Sequence, residues 1–221
     1  MMNGCLVAGG SYDQIRGNSL VRTKKISLEQ MNKQISRFKE LEPQSSAYEQ
    51  ADGVPKEAYE MLTAKTLYLL MSPENQGGPM AQQPAVITKD KMSIIIAECP
   101  PGDRPMLHAH HNTNETFFCL DGRFRIRWGD EGENEITLDP YDMIAVPPGV
   151  VRDFTNITDH TARLLVIITG EDEDAFNDIE MTPGEAKRVV EQHGEHVLDH
   201  FRKIGMNFEA GVDSLTYKIK D

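Results

Sequence analysis

Alternating apolar and polar residues dominate the middle of the chain. Between residues 85 and 169, short apolar runs are separated by turn-forming residues, and in residues 123–128 every second side chain is apolar. A period of two is typical of strands with one buried and one solvated face. We therefore predict an all-β sandwich or barrel. The predicted strands are 66–71, 85–88, 92–98, 106–111, 115–120, 123–129, 134–138, 142–146, 151–155 and 162–169.

A helical spacing of apolar residues replaces this alternation before the strands. Ser27 and Gln30 form a capping-box pattern that begins a helix, and Pro43 ends the pattern. One face of this helix is apolar, at Leu28, Met31, Ile35 and Phe38. Because such a stripe needs burial, we predict that the helix packs on a β-sheet or across a dimer interface. A second short helix is predicted at residues 55–64.

The chain after the strands is also predicted to be mainly helical. Residues 171–178 are strongly acidic and mark the end of the β region. Thr182 and Pro183 then begin a helical pattern that continues to residue 204, with a break at Gly194. A last strand is predicted at 214–219. The predicted organisation is an N-terminal arm with helices in residues 1–65, a β-barrel domain in 66–170 and a C-terminal extension in 171–221.

Composition narrows the classes of partner and the compartment. The 221 residues carry a net charge of −12, which repels nucleic acid and anionic membrane surfaces. No apolar stretch approaches the length of a membrane-spanning helix. The three cysteines, Cys5, Cys99 and Cys119, are odd in number and form no C-x-x-C pair. We therefore expect a cytoplasmic protein without a disulfide framework.

Three potential metal ligands lie close together in the β region. His108 and His110 are two residues apart, so their side chains leave the same face of a strand, whereas His111 should point to the other face. Glu115 follows a short polar loop and shares its face with Phe117. A hairpin could bring these ligands together, and two imidazoles with one carboxylate suit a divalent transition metal.

These residues belong to a longer motif. The pattern G-x5-H-x-H-x3,4-E-x6-G is met without a spacing error, at Gly102, His108, His110, Glu115 and Gly122. In this stretch the chain resembles the cupin family. The family's second motif is matched at Pro147, Gly149 and Asn156, whereas Tyr141 replaces its first glycine and Arg152 replaces its histidine.

The resemblance implies a cupin, jelly-roll-like β-sandwich barrel with helical N- and C-terminal extensions, forming a homodimer. It implies one divalent transition metal, Fe, Mn, Ni or Zn, held by His108, His110 and Glu115. A metal-dependent enzyme of the dioxygenase, lyase or isomerase type is one interpretation, and its substrate would be a small anionic organic molecule. The alternative is a non-enzymatic cupin that binds a small ligand and has a degenerate metal site.

Arg152 separates these two interpretations, because the family's histidine at this position is usually the last metal ligand. It could hold the anionic group of a substrate, or pair with Glu115 and replace the metal. The predicted substrate-binding residues are Arg152, Phe117, Trp128, Phe154 and Asn156. Met106 and Met143 are further residues predicted to face the barrel interior. The pair Asp121 and Gly122 predicts a two-residue hairpin turn.

Overall fold

The structure is a computed structural model that describes residues 23–44, 54–74, 83–170 and 178–213. The chain divides into two units, Met1–Lys33 and Gln34–Asp221. In the first unit, helix α1 (Leu28–Asn32) begins at Ser27, whose side chain accepts a hydrogen bond from the backbone of Gln30. The capping box is confirmed, but the helix is shorter than predicted. A single turn of 3-10 helix, Phe38–Glu40, occupies the end of the predicted range.

Eleven strands and three further helices are present in the described part of the second unit. The strands are β1 (Thr66–Ser72), β2 (Val86–Ile87), β3 (Met92–Cys99), β4 (His108–His110), β5 (Thr113–Cys119), β6 (Phe124–Trp128), β7 (Asn134–Leu138), β8 (Met143–Val146), β9 (Arg152–Asn156), β10 (Ala162–Gly170) and β11 (Ile179–Met181). The helices are α2 (Lys56–Tyr59), α3 (Pro183–His193) and α4 (Glu195–Lys203).

The strands form two sheets, as predicted for a β-sandwich with helical extensions. One sheet has the order β2-β1-β3-β10-β5-β8, and the other has the order β11-β4-β9-β6-β7. Every strand predicted from residue 66 to residue 169 is present, and its ends agree within two residues. Strand β11 was not predicted. The predicted strand at 214–219 and residues 1–22 lie outside the described residues.

The barrel interior is built by the alternation that the sequence shows. Phe124 and Ile126 of β6 are fully buried, and they pack with residues of both sheets. Two interior predictions are wrong. Met106 is buried, but in a second core between β4 and the C-terminal helices. Met143 is 60% exposed because β8 pairs it with Phe118, on the outer side of the sheet, while Val146 faces inward.

Two predicted hairpins are also wrong. Strands β4 and β5 belong to different sheets, and so do β5 and β6. Asp121 and Gly122 therefore form a corner between sheets rather than a hairpin turn. Gly122 has a φ of 70°, and a Cβ added there would lie 2.4 Å from the Cβ of Ala162. The glycine is thus required both by its backbone conformation and by the close approach of β10.

The C-terminal helices cover one end of the second sheet. Thr182 caps α3 by accepting a hydrogen bond from the Glu185 backbone, and Gly194 separates α3 from α4 with a φ of 91°. Both features are as predicted. The helices share an apolar core with α2, formed by Ala58, Tyr59, Leu62, Met181, Val189, Val197 and Phe201 among others. No helix of the described residues is long and apolar enough to cross a membrane.

The last residue of the predicted apolar stripe packs on the sheet that contains β1. The ring of Phe38 lies 4.7 Å from the ring of Tyr68 on β1, between centroids. The guanidinium of Arg163 on β10 lies 5.6 Å from the centre of the same ring. All four residues of the stripe are nevertheless exposed, from 38% at Phe38 to 79% at Leu28. The predicted burial of the stripe on a β-sheet is therefore wrong beyond this one contact of Phe38, and packing across a dimer interface stays a prediction.

Candidate metal site

Two short strands bring the three predicted ligands together. His108 and His110 lie on β4 in one sheet, and Glu115 lies on β5 in the opposite sheet. One ligand atom from each residue lies within 4.8 Å of the other two. All three residues are buried, each with 5% of its surface exposed. The corner of residues 111–112 thus replaces the expected hairpin and still makes the ligands converge.

The hydrogen bond of His108 fixes which ring nitrogen can bind a ligand. Nδ1 lies 2.6 Å from the carbonyl oxygen of Met106, and a carbonyl can only accept, so Nδ1 carries the proton. Burial and the nearby charge of Arg152 lower the pKa of His108 to about 3. The ring is therefore neutral at physiological pH. Its Nε2 lone pair is available, as a metal ligand requires.

His110 is oriented by a carboxylate. Its Nδ1 donates a hydrogen bond to Oδ1 of Asp178 over 2.8 Å. Burial acts to raise the pKa of Asp178, but hydrogen bonds from His110 and from the Asn112 backbone hold it below its ordinary value. Asp178 is thus ionised and accepts only, which leaves Nε2 of His110 as the free nitrogen. The sequence prediction missed Asp178, because it is one of several acidic residues that end the β region.

Arg152 pairs with Glu115 inside the barrel. Its Nε and Nη2 both donate to Oε2 of Glu115, over 2.9 and 2.7 Å, and its Nη1 donates to the Val150 carbonyl over 3.3 Å. Burial acts to raise the pKa of Glu115, but Arg152 and the two histidines hold it below its ordinary value. The sequence left this pairing open as one of two roles for Arg152. The guanidinium is fully buried.

Aromatic residues predicted to bind substrate lie next to this cluster. The rings of Phe117 and Phe154 meet edge to face, with centroids 5.2 Å apart, and both residues belong to the barrel core. Because residues two apart on a strand share a face, this pair forms the layer adjacent to Glu115 and Arg152. Trp128 lies opposite Arg152 in the pairing of β6 with β9 and is partly exposed.

The other two residues with predicted positions lie away from the cluster. Asn156 is about 13 Å from Arg152 along β9, at 3.3 Å per residue. Its side chain holds a turn, donating to the Cys99 and His160 carbonyls and accepting from Thr158. His111 is exposed, and its Nε2 contacts Glu180. The expectation that His111 points away from His108 and His110 is therefore confirmed.

The donor set fits a divalent transition metal. With Nδ1 of both rings hydrogen-bonded, His108 and His110 direct Nε2 into the site, and both hydrogen bonds from Arg152 end on one oxygen of Glu115, Oε2. Oε1 is thus the carboxylate oxygen available to a ligand. Anchored Nδ1 atoms are typical of metal-bound histidines. The guanidinium charge opposes a cation, and an anion beside it would offset this repulsion.

The sequence profile of the cupin domain family matches residues 95–168, a range that includes all three ligands and Arg152. This range contains a cupin domain. The quercetin 2,3-dioxygenase of Bacillus subtilis is 32% identical over 83 residues, which are 38% of this chain and 24% of that enzyme. The chain therefore matches about a quarter of its relative's length.

Two solved structures resemble about half of the chain each. The capsular polysaccharide assembling protein CapF from Staphylococcus aureus has a TM-score of 0.40 and 16% identity, over 52% of this chain and 31% of CapF. The cupin domain of Schizosaccharomyces pombe Cnp3 has a TM-score of 0.34 and 14% identity, over 48% of this chain and 65% of that domain.

Proposed function

We propose that this cupin domain binds one divalent transition metal through His108, His110 and Glu115, and that it acts on a small anionic organic molecule. The observation that carries the proposal is the anchoring of both imidazoles at Nδ1, which leaves two Nε2 lone pairs beside the Glu115 carboxylate. A histidine that only packs in a core does not need its free ring nitrogen directed toward two other potential ligands. Fe, Mn, Ni and Zn all accept this combination of ligands.

The charges inside the barrel support an anionic substrate. Without metal, the positive charge of Arg152 is balanced by Glu115, and His108 is neutral. A divalent cation would add two positive charges to a buried site, which is costly unless an anion accompanies it. Arg152 uses three of its five N–H groups in the hydrogen bonds described above. The other two could bind a carboxylate or phosphate group.

The residues around the metal would each have a separate role in binding the substrate. Arg152 would orient the substrate through its anionic group, and the Phe117 and Phe154 rings would keep water from the apolar side of the site. A bound metal would polarise a substrate oxygen or activate O2. The quercetin 2,3-dioxygenase relative favours an oxygenase, but only over the matched segment. Lyase and isomerase chemistry therefore remain part of the proposal.

We also propose a compartment and an oligomeric state for the protein. The buried cysteines Cys99 and Cys119 are both free thiols, which supports a reducing, cytoplasmic compartment. A homodimer and the division of the chain at residues 65 and 170 stay predictions. Light scattering of the purified chain measures the dimer directly.

The Arg152 pair also favours a second candidate function. If the guanidinium permanently replaces the metal, the chain is a non-enzymatic cupin that binds a small ligand. The two hydrogen bonds to Glu115 are the observation that supports this alternative. Metal content distinguishes the two candidates.

The first experiment measures metal by elemental analysis after purification without chelators or nickel resin. We expect close to one transition metal per chain. Replacing both His108 and His110 with alanine should remove it, because the carboxylate alone is a weak ligand. His111→Ala is the matched control, since its ring contacts Glu180 outside the site, and it should keep the metal. Absence of metal in the wild type, together with no uptake on titration, would contradict the metal-dependent function and favour the alternative.

The second experiment tests the anion. Calorimetric titration of metal-loaded protein should show a preference for small carboxylates or phosphates over neutral analogues. Arg152→Ala should weaken anion binding roughly tenfold to a hundredfold, the usual effect of losing a charge-assisted hydrogen bond. Equal affinity of the wild type for anions and neutral analogues would contradict the anionic substrate while leaving the metal site intact.

A further inference from the structure

Strand β11 holds the strand that carries both histidines. β4 pairs with β9 at one position, His108 opposite Arg152. β11 instead pairs with every residue of β4, with Met181 opposite His108 and Ile179 opposite His110. β11 lies outside the matched cupin segment of residues 95–168. The C-terminal extension therefore supplies most of the backbone pairing of β4.

The extension also fixes the chain on either side of this pairing. The Thr182 backbone donates to the Leu107 carbonyl over 3.1 Å, and Oε1 of Glu185 accepts from the Leu107 backbone over 3.0 Å. The Met181 backbone donates to the Asn207 carbonyl over 2.9 Å. The residue before His108 is thus held by α3, and β11 is itself held by the segment after α4.

Asp178, the residue before β11, connects this framework to the ligands. Its Oδ1 accepts from Nδ1 of His110 over 2.8 Å. Its Oδ2 accepts from the backbones of Asn112 and Thr113, over 2.5 and 3.1 Å. Thr113 begins β5, two residues before Glu115. One carboxylate therefore contacts a ligand ring and the corner that leads to the ligand on the other sheet.

The pair of His110 and Asp178 is buried, with 6% of each side chain exposed. The neighbouring pair of His111 and Glu180 has the same chemistry on the other face, but its side chains are 50% and 18% exposed. Each pair joins a histidine at the end of β4 to an acidic residue at the start of β11. Only the first pair touches a ligand of the proposed metal.

We propose that Asp178 is a positioning residue of the metal site, so that the C-terminal extension completes the site. This inference rests on the proposed function. By accepting from Nδ1, the Asp178 carboxylate keeps the proton on that nitrogen and directs the Nε2 lone pair of His110 into the site. A carboxylate in this position also raises the basicity of the ring. Loss of such a partner typically weakens metal binding by about 10- to 100-fold.

The test uses the full chain with Asp178→Ala, Asp178→Asn and, as the matched control, Glu180→Ala. Zn²⁺ affinity is measured by competition with a chromogenic chelator. Asp178→Ala should weaken binding by about 10- to 100-fold. Asp178→Asn should recover part of the loss, because an amide oxygen accepts the same hydrogen bond without the charge. Glu180→Ala should bind Zn²⁺ as the wild type does.

A second readout follows the proton on His110 without any metal. Nitrogen NMR of the metal-free, histidine-labelled protein should show the Nδ1–H form in the wild type and in Asp178→Asn. Asp178→Ala should show a mixture of the two neutral forms. If Asp178 only stabilised the corner of residues 111–112, its loss would not change the NMR signal of the His110 ring.

The outcomes separate this inference from the proposed function. Wild-type affinity together with an unchanged tautomer in Asp178→Ala would overturn the positioning role, whereas the metal site would stand. Failure of the wild type to bind Zn²⁺ would overturn the proposed function, and the NMR readout would still decide whether Asp178 orients His110. If Asp178→Ala does not fold, Asp178→Leu replaces it, because leucine has a similar size and no acceptor; wild-type affinity with an unchanged tautomer in that variant would overturn the inference.

Discussion

Two adjacent residues of β9 place buried charges on opposite faces of the same strand. Arg152 faces the barrel interior and Asp153 faces the C-terminal helices, and both are fully buried. Asp153 accepts from Nη1 of Arg104 over 2.7 Å and from both Nε and Nη2 of Arg127, over 3.1 and 2.5 Å. Both of its carboxylate oxygens are thus occupied by arginine donors.

The inner cluster consists of Arg152, Glu115, His108 and His110, and the outer cluster consists of Asp153, Arg104 and Arg127. Only the inner cluster leaves potential metal-ligand atoms unused. Arg152 occupies one oxygen of Glu115, and the two imidazoles place Nε2 beside the same carboxylate. The outer cluster joins elements of the fold, since Arg104 also contacts Glu185 of α3. A buried ion pair is therefore weak evidence for function by itself. The inner cluster differs from the outer one because it has unused ligand atoms beside residues whose pKa values are perturbed.

The largest expected effect comes from Arg152→Ala in metal-free protein. The change leaves the buried Glu115 carboxylate without its counter-ion, which typically costs about 3–5 kcal/mol of unfolding free energy. Zn²⁺ should restore much of this loss, because the cation can take over the charge of the guanidinium. Urea unfolding with and without Zn²⁺ measures both effects. If Zn²⁺ stabilises the variant no more than the wild type, the inner cluster is a structural ion pair like the outer one.

A smaller effect is expected for Asp153→Ala. The Arg104 and Arg127 side chains are 21% and 24% exposed, so each can turn partly toward water after the carboxylate is lost. We expect a loss of about 1.5–3 kcal/mol of unfolding free energy, the usual range for hydrogen bonds to charged groups. Zn²⁺ should restore none of it beyond its effect on the wild type. Recovery by Zn²⁺ equal to that of Arg152→Ala would show that the two clusters are not independent.

The strands and the ligand triad could be predicted from the sequence because both depend on local periods. The period of two gives the strands, and the spacing of His108, His110 and Glu115 gives the metal motif. Sheet membership could not be predicted in the same way. A two-residue connection such as Asp121 and Gly122 suits a hairpin and equally a corner, and only the long-range pairing with β10 decides between them.

The structure also explains one departure from the second motif. Tyr141 replaces the family's first glycine and has a φ of 76°, the conformation that glycine adopts without strain. Tyr141 thus lies at a position whose backbone conformation favours glycine, the residue of the family's motif. Asp178 was beyond prediction for a different reason. Its role depends on the pairing of a three-residue strand, which is too short to produce a recognisable period.

The smallest effect concerns the pH dependence of stability, to which the inner cluster should contribute through His108. The pKa of His108 is about 3 in the folded, metal-free protein and 6.5 in its ordinary state. Between these values the unfolded chain binds a proton that the folded protein excludes. The contribution is therefore complete above pH 6.5 and is lost as the pH falls toward 3. Its slope is at most about 1.4 kcal/mol per pH unit.

Urea unfolding of the metal-free protein from about pH 7.5 to about pH 5 covers the range in which histidines titrate, and comparison with His108→Gln isolates the contribution of His108 among the seven histidines of the chain. His108→Gln should reduce the slope, since the variant has no imidazole to protonate on unfolding. Asp153→Ala should keep the wild-type slope, because the outer cluster contains no histidine. An identical slope in the wild type and in His108→Gln would show that His108 has the same pKa in the folded and the unfolded chain, which would contradict its burial as a neutral ring.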